Sequence, residues 1–396
     1  MVKKLFLLSA IMGVLSGLFP LGVSASVTTA PIAVVMCFNT GEILYDKNMN
    51  QRWIPASKTK SMTAFIVYRE IEAGNITLNT QMRVSANAAR FSQNRRVQGS
   101  FVPLNEGAYI TVETLLRLMM LPSANAAGVV IAEHISGSEA AFVERMNSVA
   151  AELGMYAGFV NSHGAEVHYS NAYSMAVLVR EFIARYPDIL RITAMPSVTF
   201  NGHTYGNTNQ LVHSPVFPGA DGFKTGSLRQ AGWGHSVTAE RDGRRVIAVV
   251  MNTPNNAARQ QQSRRLLEFG FEEIARREAE RAERVRVFYH SDIIPLDTPP
   301  VVSHNRVMLP IRGVFEWLGY SVEWHEYGII VLESECGNSV TLFIDRGVVV
   351  INGETHTVNA PAQTVNGRIF VSEELVAMVT GTSGTWDVAT GVVQFR

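Results

Sequence analysis

The residues best suited to chemistry form the run Ser57-Lys58-Thr59-Lys60 at the start of a predicted helix. A serine and a lysine three residues apart on a helix share one face, with Cβ atoms about 5–6 Å apart. A serine hydroxyl needs a base before it attacks a carbonyl, and a partly desolvated lysine can be that base. Ser57 is therefore a candidate nucleophile with Lys60 as its base, although a simple helix N-cap is the commoner role for such a serine.

The use of lysine in the chain supports this hypothesis. Of 34 lysine and arginine residues only six are lysine, at positions 3, 4, 47, 58, 60 and 224. Arginine cannot act as a base, and surface charge alone would not require lysine. Lys60 and Lys224 are therefore candidates for chemistry rather than for solubility.

A second pattern, Ser-x-Asn, has little meaning on its own because it occurs four times, starting at residues 85, 92, 123 and 303. Position favours Ser123-Ala124-Asn125, which follows an apolar helix and Pro122 and should form a polar loop facing a cleft. Ser85 and Ser92 lie in a polar stretch that predicts surface turns.

The third pattern is Lys224-Thr225-Gly226, which occurs once and opens a region of strands. A phosphate-binding Walker loop would need glycine directly before the lysine, but Phe223 stands there. An ordinary strand edge is the alternative explanation if the motif is taken alone.

The elements that must position these residues follow from hydrophobic periodicity and turn residues. We predict a hairpin with strands at 31–38 and 43–45, and two later strands within 232–252 joined by a turn at 241–244. The predicted helices cover 57–73, 111–121, 138–153, 172–184 and 260–286.

The last hundred residues contain an internal repeat. Residues 306–332 align without a gap on residues 368–394, and both copies carry a glycine and a tryptophan at matching positions, Gly319 with Gly381 and Trp324 with Trp386. Each half predicts a strand, a short helix, a glycine turn and a strand with the tryptophan. Two such halves should cover each other's apolar faces in one small domain.

Composition limits the possible classes of protein. The 396 residues are 47% hydrophobic and 17% charged, which is enough apolar material for packed cores. Acidic and basic residues number 34 each, so the basic surplus of a nucleic-acid-binding protein is absent. Two cysteines exclude a disulfide scaffold, and the ten histidines show no zinc-type spacing.

The N-terminus predicts a secretory signal. Lys3 and Lys4 precede an uncharged stretch over 5–23, and Val23-Ser24-Ala25 supplies the small residues of a cleavage site. We expect cleavage after Ala25 and a secreted, extracytoplasmic protein associated with the cell envelope. An uncleaved membrane anchor is the alternative.

Taken together, the three motifs match the signature of penicillin-recognising serine acyl-transferases. Residues 33–271 resemble the low-molecular-mass penicillin-binding proteins, which are serine D-alanyl-D-alanine carboxypeptidases. The blocks that carry this resemblance are 55–63, 121–127, 146–147 with 153–155, 161–164, 207–209 and 219–226. Ala126 departs from the family pattern, where an acidic residue is usual.

The resemblance implies an α/β (α+β) fold of the penicillin-binding, β-lactamase-like transpeptidase type, with an antiparallel sheet flanked by helices. We expect a signal peptide at 1–25, the carboxypeptidase domain at 26–275, a helical linker at 276–299 and a small β-rich α+β repeat domain at 300–396. This last domain resembles the copper amine oxidase N-terminal-like stalk domain, through 309–312, 317–324, 366–368 and 386–387. It predicts a spacer or envelope-association module that binds no copper.

The resemblance also implies a role for each site residue. Ser57 would attack the peptide bond between two D-alanines of a peptidoglycan stem peptide, and Lys60 would be its base. Ser123 would relay the proton and Asn125 would hold the substrate amide. Lys224 and Thr225 would bind the terminal carboxylate, and Gly226 would be part of the same substrate-binding segment. The backbone N–H groups of Ser57 and Ser227 would form the oxyanion hole.

No metal or other cofactor is needed for this chemistry, and β-lactam antibiotics should act as covalent inhibitors. Three alternatives remain open. A class A-like β-lactamase would need a water-activating glutamate, for which Glu166 is the candidate. An endopeptidase or transpeptidase would use the same residues, and a catalytically silent wall-binding protein would use none of them.

Overall fold

The computed structural model describes residues 27–93, 101–213, 216–303 and 305–396. The predicted signal peptide therefore lies outside the described residues. Within those ranges no helix combines the length and apolarity needed to cross a membrane. Both cysteines are unpaired: Cys37 is buried and Cys336 is exposed.

A five-stranded antiparallel sheet forms the centre of the N-terminal domain. Its strands are β1 (Ile32–Cys37), β2 (Ile43–Lys47), β7 (Ala220–Leu228), β8 (Gly232–Arg241) and β9 (Arg244–Thr253), in the spatial order β2-β1-β9-β8-β7. Two short hairpins lie apart from it, β3 (Gln81–Arg83) with β4 (Tyr109–Thr111), and β5 (Ser197–Phe200) with β6 (His203–Gly206). The sheet ends at β7, so this strand has one edge free.

Helices cover both faces of this sheet. They are α1 (Lys60–Glu72), α2 (Ala86–Gln93), α3 (Val112–Met120), α4 (Asn125–Ser136), α5 (Glu139–Glu152), α6 (Ala172–Arg185), α7 (Ile189–Thr193) and α8 (Asn256–Arg284). Alternate residues of β1 point to opposite sides: Val34 joins the core beneath α1 and α3–α6, whereas Val35 joins the core beneath α8. Every residue of β1 is buried for this reason, and the strand is a continuous apolar run.

The predicted antiparallel sheet flanked by helices is confirmed, as are the hairpin, the helices and the two later strands. Two local predictions are wrong. Ser92 is not in a surface turn: it is buried within α2, and its hydroxyl donates to the carbonyl of Ala89. Helix α8 begins at Asn256, earlier than expected, because the side chain of Asn255 caps it by accepting from the Ala258 N–H.

The C-terminal domain is built from three small sheets around a main core, with a smaller buried cluster at Met308, Ala360 and Phe370. Its strands are β10 (Arg286–Tyr289), β11 (Asp292–Ile294), β12 (Val301–Ser303), β13 (Arg306–Pro310), β14 (Tyr320–His325), β15 (Ile329–Ser334), β16 (Ser339–Phe343), β17 (Val348–Ile351), β18 (Glu354–Thr357), β19 (Gln363–Val365), β20 (Arg368–Ser372), β21 (Gly384–Asp387) and β22 (Val392–Phe395). The helices α9 (Ile311–Phe315) and α10 (Glu373–Thr380) complete it. The repeat appears as predicted: β13-α9-β14-β15 and β20-α10-β21-β22 are equivalent, and β13 pairs with β20 between the halves.

The helical linker expected at 276–299 differs from the structure. Helix α8 is continuous from the N-terminal domain to Arg284, and Glu278 is buried in it through an ion pair with Arg244 at 2.6 Å. Beyond it, β10 pairs in parallel with the C-terminal strand β22. Residues 286–294 are therefore strands of the C-terminal domain, and the two domains are joined by a helix that belongs to the first.

Candidate active site

A cavity of about 660 Å³ opens where the free edge of β7 meets the turn that precedes α1. Five predicted site residues line it, namely Ser57, Ser123, Thr225, Gly226 and Ser227. The other three, Lys60, Asn125 and Lys224, are buried in its wall. The structure thus brings all three sequence motifs to one place.

Ser57 lies in a single 3-10 turn over Ala56–Thr59, directly before α1. Its side chain is half-buried, so that the hydroxyl is reachable from the cavity. One helical turn further on, Lys60 is fully buried, and its Nζ donates to Ser57 Oγ at 3.1 Å. The distance is that of a nucleophile and its base.

Lys60 is surrounded by neutral acceptors. Its Nζ also donates to Asn125 Oδ1 and to the backbone carbonyl of His163, both at 2.6 Å. Burial, followed by the charge of Lys224, holds the pKa of Lys60 well below its usual value. Burial and the neighbouring positive charge favour the neutral amine, which can keep its two donations to Asn125 and His163 while its lone pair faces the Ser57 hydroxyl and can accept its proton.

Ser123 and Asn125 lie on either side of the start of α4. Ser123 adopts a left-handed backbone (φ 69°) between α3 and α4, as expected of a tight polar loop, and Asn125 is the first residue of α4. The Ser123 hydroxyl is buried and has no hydrogen-bond partner among the described residues. It faces the cavity beside Ser57, so its hydrogen-bonding capacity is open to a substrate.

Strand β7 supplies the opposite wall. Lys224 Nζ is buried and meets no hydrogen-bond acceptor in the part of the chain that the structure describes. Burial and then the charge of Arg259 lower the pKa of Lys224 to about 7. Thr225 is held by its neighbour Thr208, with the two hydroxyl oxygens 2.6 Å apart. A buried cation without a partner is costly, which points to an anionic ligand in this part of the cavity.

Two glycines allow the chain to close around Ser57. A Cβ on Gly226 would lie 2.7 Å from the carbonyl oxygen of Pro55 and 3.2 Å from the backbone nitrogen of Ser57. A Cβ on Gly164 would lie 2.1 Å from the carbonyl oxygen of Ala56. Only glycine fits these close backbone approaches, so β7 and the 161–164 loop can both press against the turn that carries Ser57.

Sequence reasoning missed Arg259 and Trp233, which also line the cavity. The guanidinium of Arg259 lies 5.1 Å from the ring centre of Trp233 and donates to the carbonyl of Thr208 at 3.3 Å. No sequence signal marks Arg259, because it is one arginine among many on a long helix. Thr208 did lie in a recognised block, 207–209, but that block had no assigned role.

Lys58 is a third buried lysine, and the motifs give it no role. Its Nζ points toward β8 and β9, donating to the carbonyl of Val250 at 3.4 Å. Burial and then the charge of Arg259 lower the pKa of Lys58 to about 7. A Cβ on Gly234 would lie 2.7 Å from this Nζ, so the missing side chain makes room for the lysine.

The β-lactamase candidate Glu166 is exposed and does not line the cavity. Its backbone carbonyl lies 2.9 Å from Nδ1 of His168, which fixes the loop but leaves the carboxylate in solvent. Among the described residues, no group of three or more histidine, cysteine or acidic side chains is placed to hold a metal ion.

The family model described as D-alanyl-D-alanine carboxypeptidase (Peptidase_S11) matches residues 21–255, more than half of the chain. The chain belongs to this family. The model described as the copper amine oxidase N-terminal domain matches residues 290–395. Both resemblances predicted from the motifs are thereby confirmed.

Curated relatives agree with the family assignment. The chain is 36% identical over 250 residues to D-alanyl-D-alanine carboxypeptidase DacF of Bacillus subtilis, covering 61% of this chain and 62% of that protein. It is 35% identical to the carboxypeptidase DacD of Escherichia coli, covering 60% of this chain and 62% of that protein. The match therefore spans just over three fifths of these relatives.

Solved structures of the family share the fold. Penicillin binding protein 6B from Escherichia coli superposes with a TM-score of 0.60 at 34% identity, covering 64% of this chain and 80% of that chain. Penicillin-binding protein D2 from Listeria monocytogenes, in its cefotaxime-bound form, has a TM-score of 0.55 at 28% identity, covering 62% and 98%. The predicted penicillin-binding type of fold is confirmed.

Proposed function

We propose that this chain is a serine D-alanyl-D-alanine carboxypeptidase that removes the terminal D-alanine from peptidoglycan pentapeptide stems. The observation that carries the proposal is the pairing of Ser57 and Lys60. The buried Lys60 amine, held by neutral acceptors, lies 3.1 Å from a hydroxyl at the wall of an open cavity. The family match and its named relatives support the same activity.

In the acylation step, Ser57 Oγ attacks the carbonyl carbon of the bond between the two D-alanines. Neutral Lys60 takes the hydroxyl proton as the new C–O bond forms. The C–N bond then breaks, and the amine of the departing D-alanine takes up a proton through Ser123. The stem peptide remains attached to Ser57 as an ester, which water hydrolyses to free the enzyme.

Substrate binding rests on the anion site beside β7. The terminal carboxylate of the leaving D-alanine would pair with the buried Lys224 ammonium and the Thr225 hydroxyl. Asn125 would hold the substrate amide next to Lys60. Backbone N–H groups of Ser57 and Ser227 would stabilise the oxyanion, since Gly226 allows the two segments to approach closely.

We further propose that β-lactams acylate Ser57. Listeria penicillin-binding protein D2, a structural relative of this chain, has been solved with cefotaxime and with ampicillin bound. Exposure of Glu166 disfavours the β-lactamase alternative, because its carboxylate does not line the cavity that contains Ser57. A slow-clearing penicillin adduct is therefore expected rather than rapid turnover.

The location follows the same proposal. An enzyme whose substrate is the stem peptide of the cell wall must work outside the cytoplasm. The signal-like residues 1–25 agree with this location. The C-terminal domain is proposed to hold the enzyme at the cell envelope.

The test is the intact mass of purified residues 26–396 mixed with benzylpenicillin and followed over time. We expect one lasting adduct per molecule, and release of D-alanine from a pentapeptide stem by the untreated protein. Rapid loss of the drug without an adduct would favour a β-lactamase. Neither adduct nor turnover would favour a catalytically silent wall-binding protein.

The pH profile of kcat/KM should be bell-shaped. Acylation needs neutral Lys60, so the rate should rise with pH as this lysine, whose pKa is lowered, loses its proton. Carboxylate binding needs charged Lys224, so the rate should fall as pH rises through about 7. Lys224→Arg keeps its charge and should remove the falling limb. A falling limb that persists in this variant would contradict the role of Lys224.

A further inference from the structure

The two halves of the C-terminal domain place their tryptophans differently. Trp324 in β14 and Trp386 in β21 occupy equivalent repeat positions. Trp386 packs against the domain core, and its Nε1 donates to the carbonyl of Asn305 at 3.0 Å. Trp324 remains 55% exposed. The two copies of the repeat therefore use the same tryptophan differently: Trp386 makes contacts within the domain, and Trp324 is left accessible.

The domain interface explains the difference. Asn305 follows strand β12, which packs on α8, and it lines a small hollow with Arg277 and Arg281 of that helix. The half of the repeat that contains Trp386 therefore supports the contact with the N-terminal domain. The repeat equivalent of Asn305 is Gly367, which together with Trp324 lines an open cleft instead. The half with Trp386 supports the packing of the two domains, whereas the corresponding surface of the half with Trp324 is an open cleft.

This cleft has a volume of about 380 Å³. That size is within the usual range of small-ligand sites, about 300–1,000 Å³. Its apolar wall includes Trp324 and Ile330, and its charged groups are Arg312, Arg368, Asp297 and Glu323. Arg368 is anchored by a hydrogen bond to the Thr298 hydroxyl, so at least one of its donors is fixed before a ligand arrives.

The chemistry of the lining selects the ligand. Two guanidinium and two carboxylate groups give the cleft no net charge, which disfavours a polyanion such as a nucleic acid. Pyranose rings present a flat face of C–H groups that stacks on an aromatic ring, while their hydroxyl and acetamido groups accept and donate around the edge. An exposed indole with paired donors and acceptors beside it fits such a ring.

We propose that the Trp324 cleft binds a neutral N-acetylated glycan strand, the backbone that carries the stem peptides. The choice of this strand rests on the proposed function, because the glycan is the polymer to which the substrate peptides are attached. The cleft would hold the enzyme on that polymer independently of the catalytic cavity.

The probe is the β-1,4-linked pentamer of N-acetylglucosamine, which has no stem peptide, titrated calorimetrically into purified residues 26–396. We expect saturable binding that Trp324→Ala weakens by about tenfold or more and Trp324→Phe weakens less. Tyr327, which is 94% exposed in the β14–β15 turn outside the cleft, provides the control. Tyr327→Asn suits the left-handed backbone there and should bind the pentamer normally.

Two readouts separate this proposal from the catalytic one. Release of D-alanine from a short soluble peptide should be unchanged in Trp324→Ala, whose thermal unfolding should also match the parent. Absence of saturable binding by the parent protein would overturn the proposal. So would unchanged binding by Trp324→Ala, an equal loss in Tyr327→Asn, or binding of an acidic polymer or a peptide in place of the pentamer.

Discussion

Replacing Ser57 with alanine should reduce D-alanine release by a factor on the order of 10⁴ or more and abolish the penicillin adduct. The Oγ atom forms the bond to the substrate, and water held in the same cavity cannot replace a covalent intermediate. The fold should survive, because Lys60 keeps two of its three acceptors, Asn125 and the His163 carbonyl. The measurements are intact mass with benzylpenicillin and the rate of D-alanine release.

Ser61 on the same helix offers a matched control. It is buried, and its hydroxyl has no hydrogen-bond partner within the described part of the chain, so Ser61→Ala removes no bond. This variant should keep full activity and form the adduct. A penicillin adduct on Ser57→Ala, or wild-type release of D-alanine by it, would mean that the nucleophile lies elsewhere.

Lys60→Arg should slow acylation by about 10²–10⁴-fold, the usual contribution of a general base. Arginine keeps a long side chain with N–H donors, but it does not release its proton in a protein, so it cannot deprotonate Ser57. The measurement is the rate constant for acylation by benzylpenicillin at neutral pH, before any hydrolysis of the adduct.

Lys47→Arg makes the same chemical change at a lysine that binds the Thr28 carbonyl away from the cavity, and it should acylate normally. Lys60→Met also removes the base but introduces no charge, so it separates loss of the base from the effect of an added charge, and it should be as slow as Lys60→Arg. If Lys60→Arg acylates at the parent rate, another group must take the proton from Ser57.

The sequence was most informative where chemistry fixes spacing. A lysine that is to act as base for a serine one helical turn away must lie three residues from it, which is the spacing of Ser57 and Lys60. The position of the loop after a buried helix then selected Ser123 from four similar patterns. The acceptor from His163 was invisible, because it is a backbone carbonyl that any residue could supply. Arg259 was invisible for a different reason: folding, not spacing, brings it to the cavity.

The domain junction shows the same limit. A mixture of glutamate and arginine predicted a solvated linker, yet Glu278 is buried by pairing with Arg244, more than thirty residues away. Strand β10 finds its partner in β22, at the opposite end of the domain. Neither partnership has a local pattern, since each joins segments that are distant along the chain.

Helix α8 has a mechanical consequence. It runs unbroken from Asn256, close to the catalytic cavity, to Arg284, where the C-terminal domain begins, a span of about 44 Å. The number of residues in the helix fixes both its length and the rotation between its two ends. Exchanging its solvent-facing side chains leaves both unchanged, whereas deleting one residue would swing the distal domain by about 100° around the helix axis. The angle between the two clefts therefore depends on the number of residues in α8 as well as on the contact between β12 and this helix.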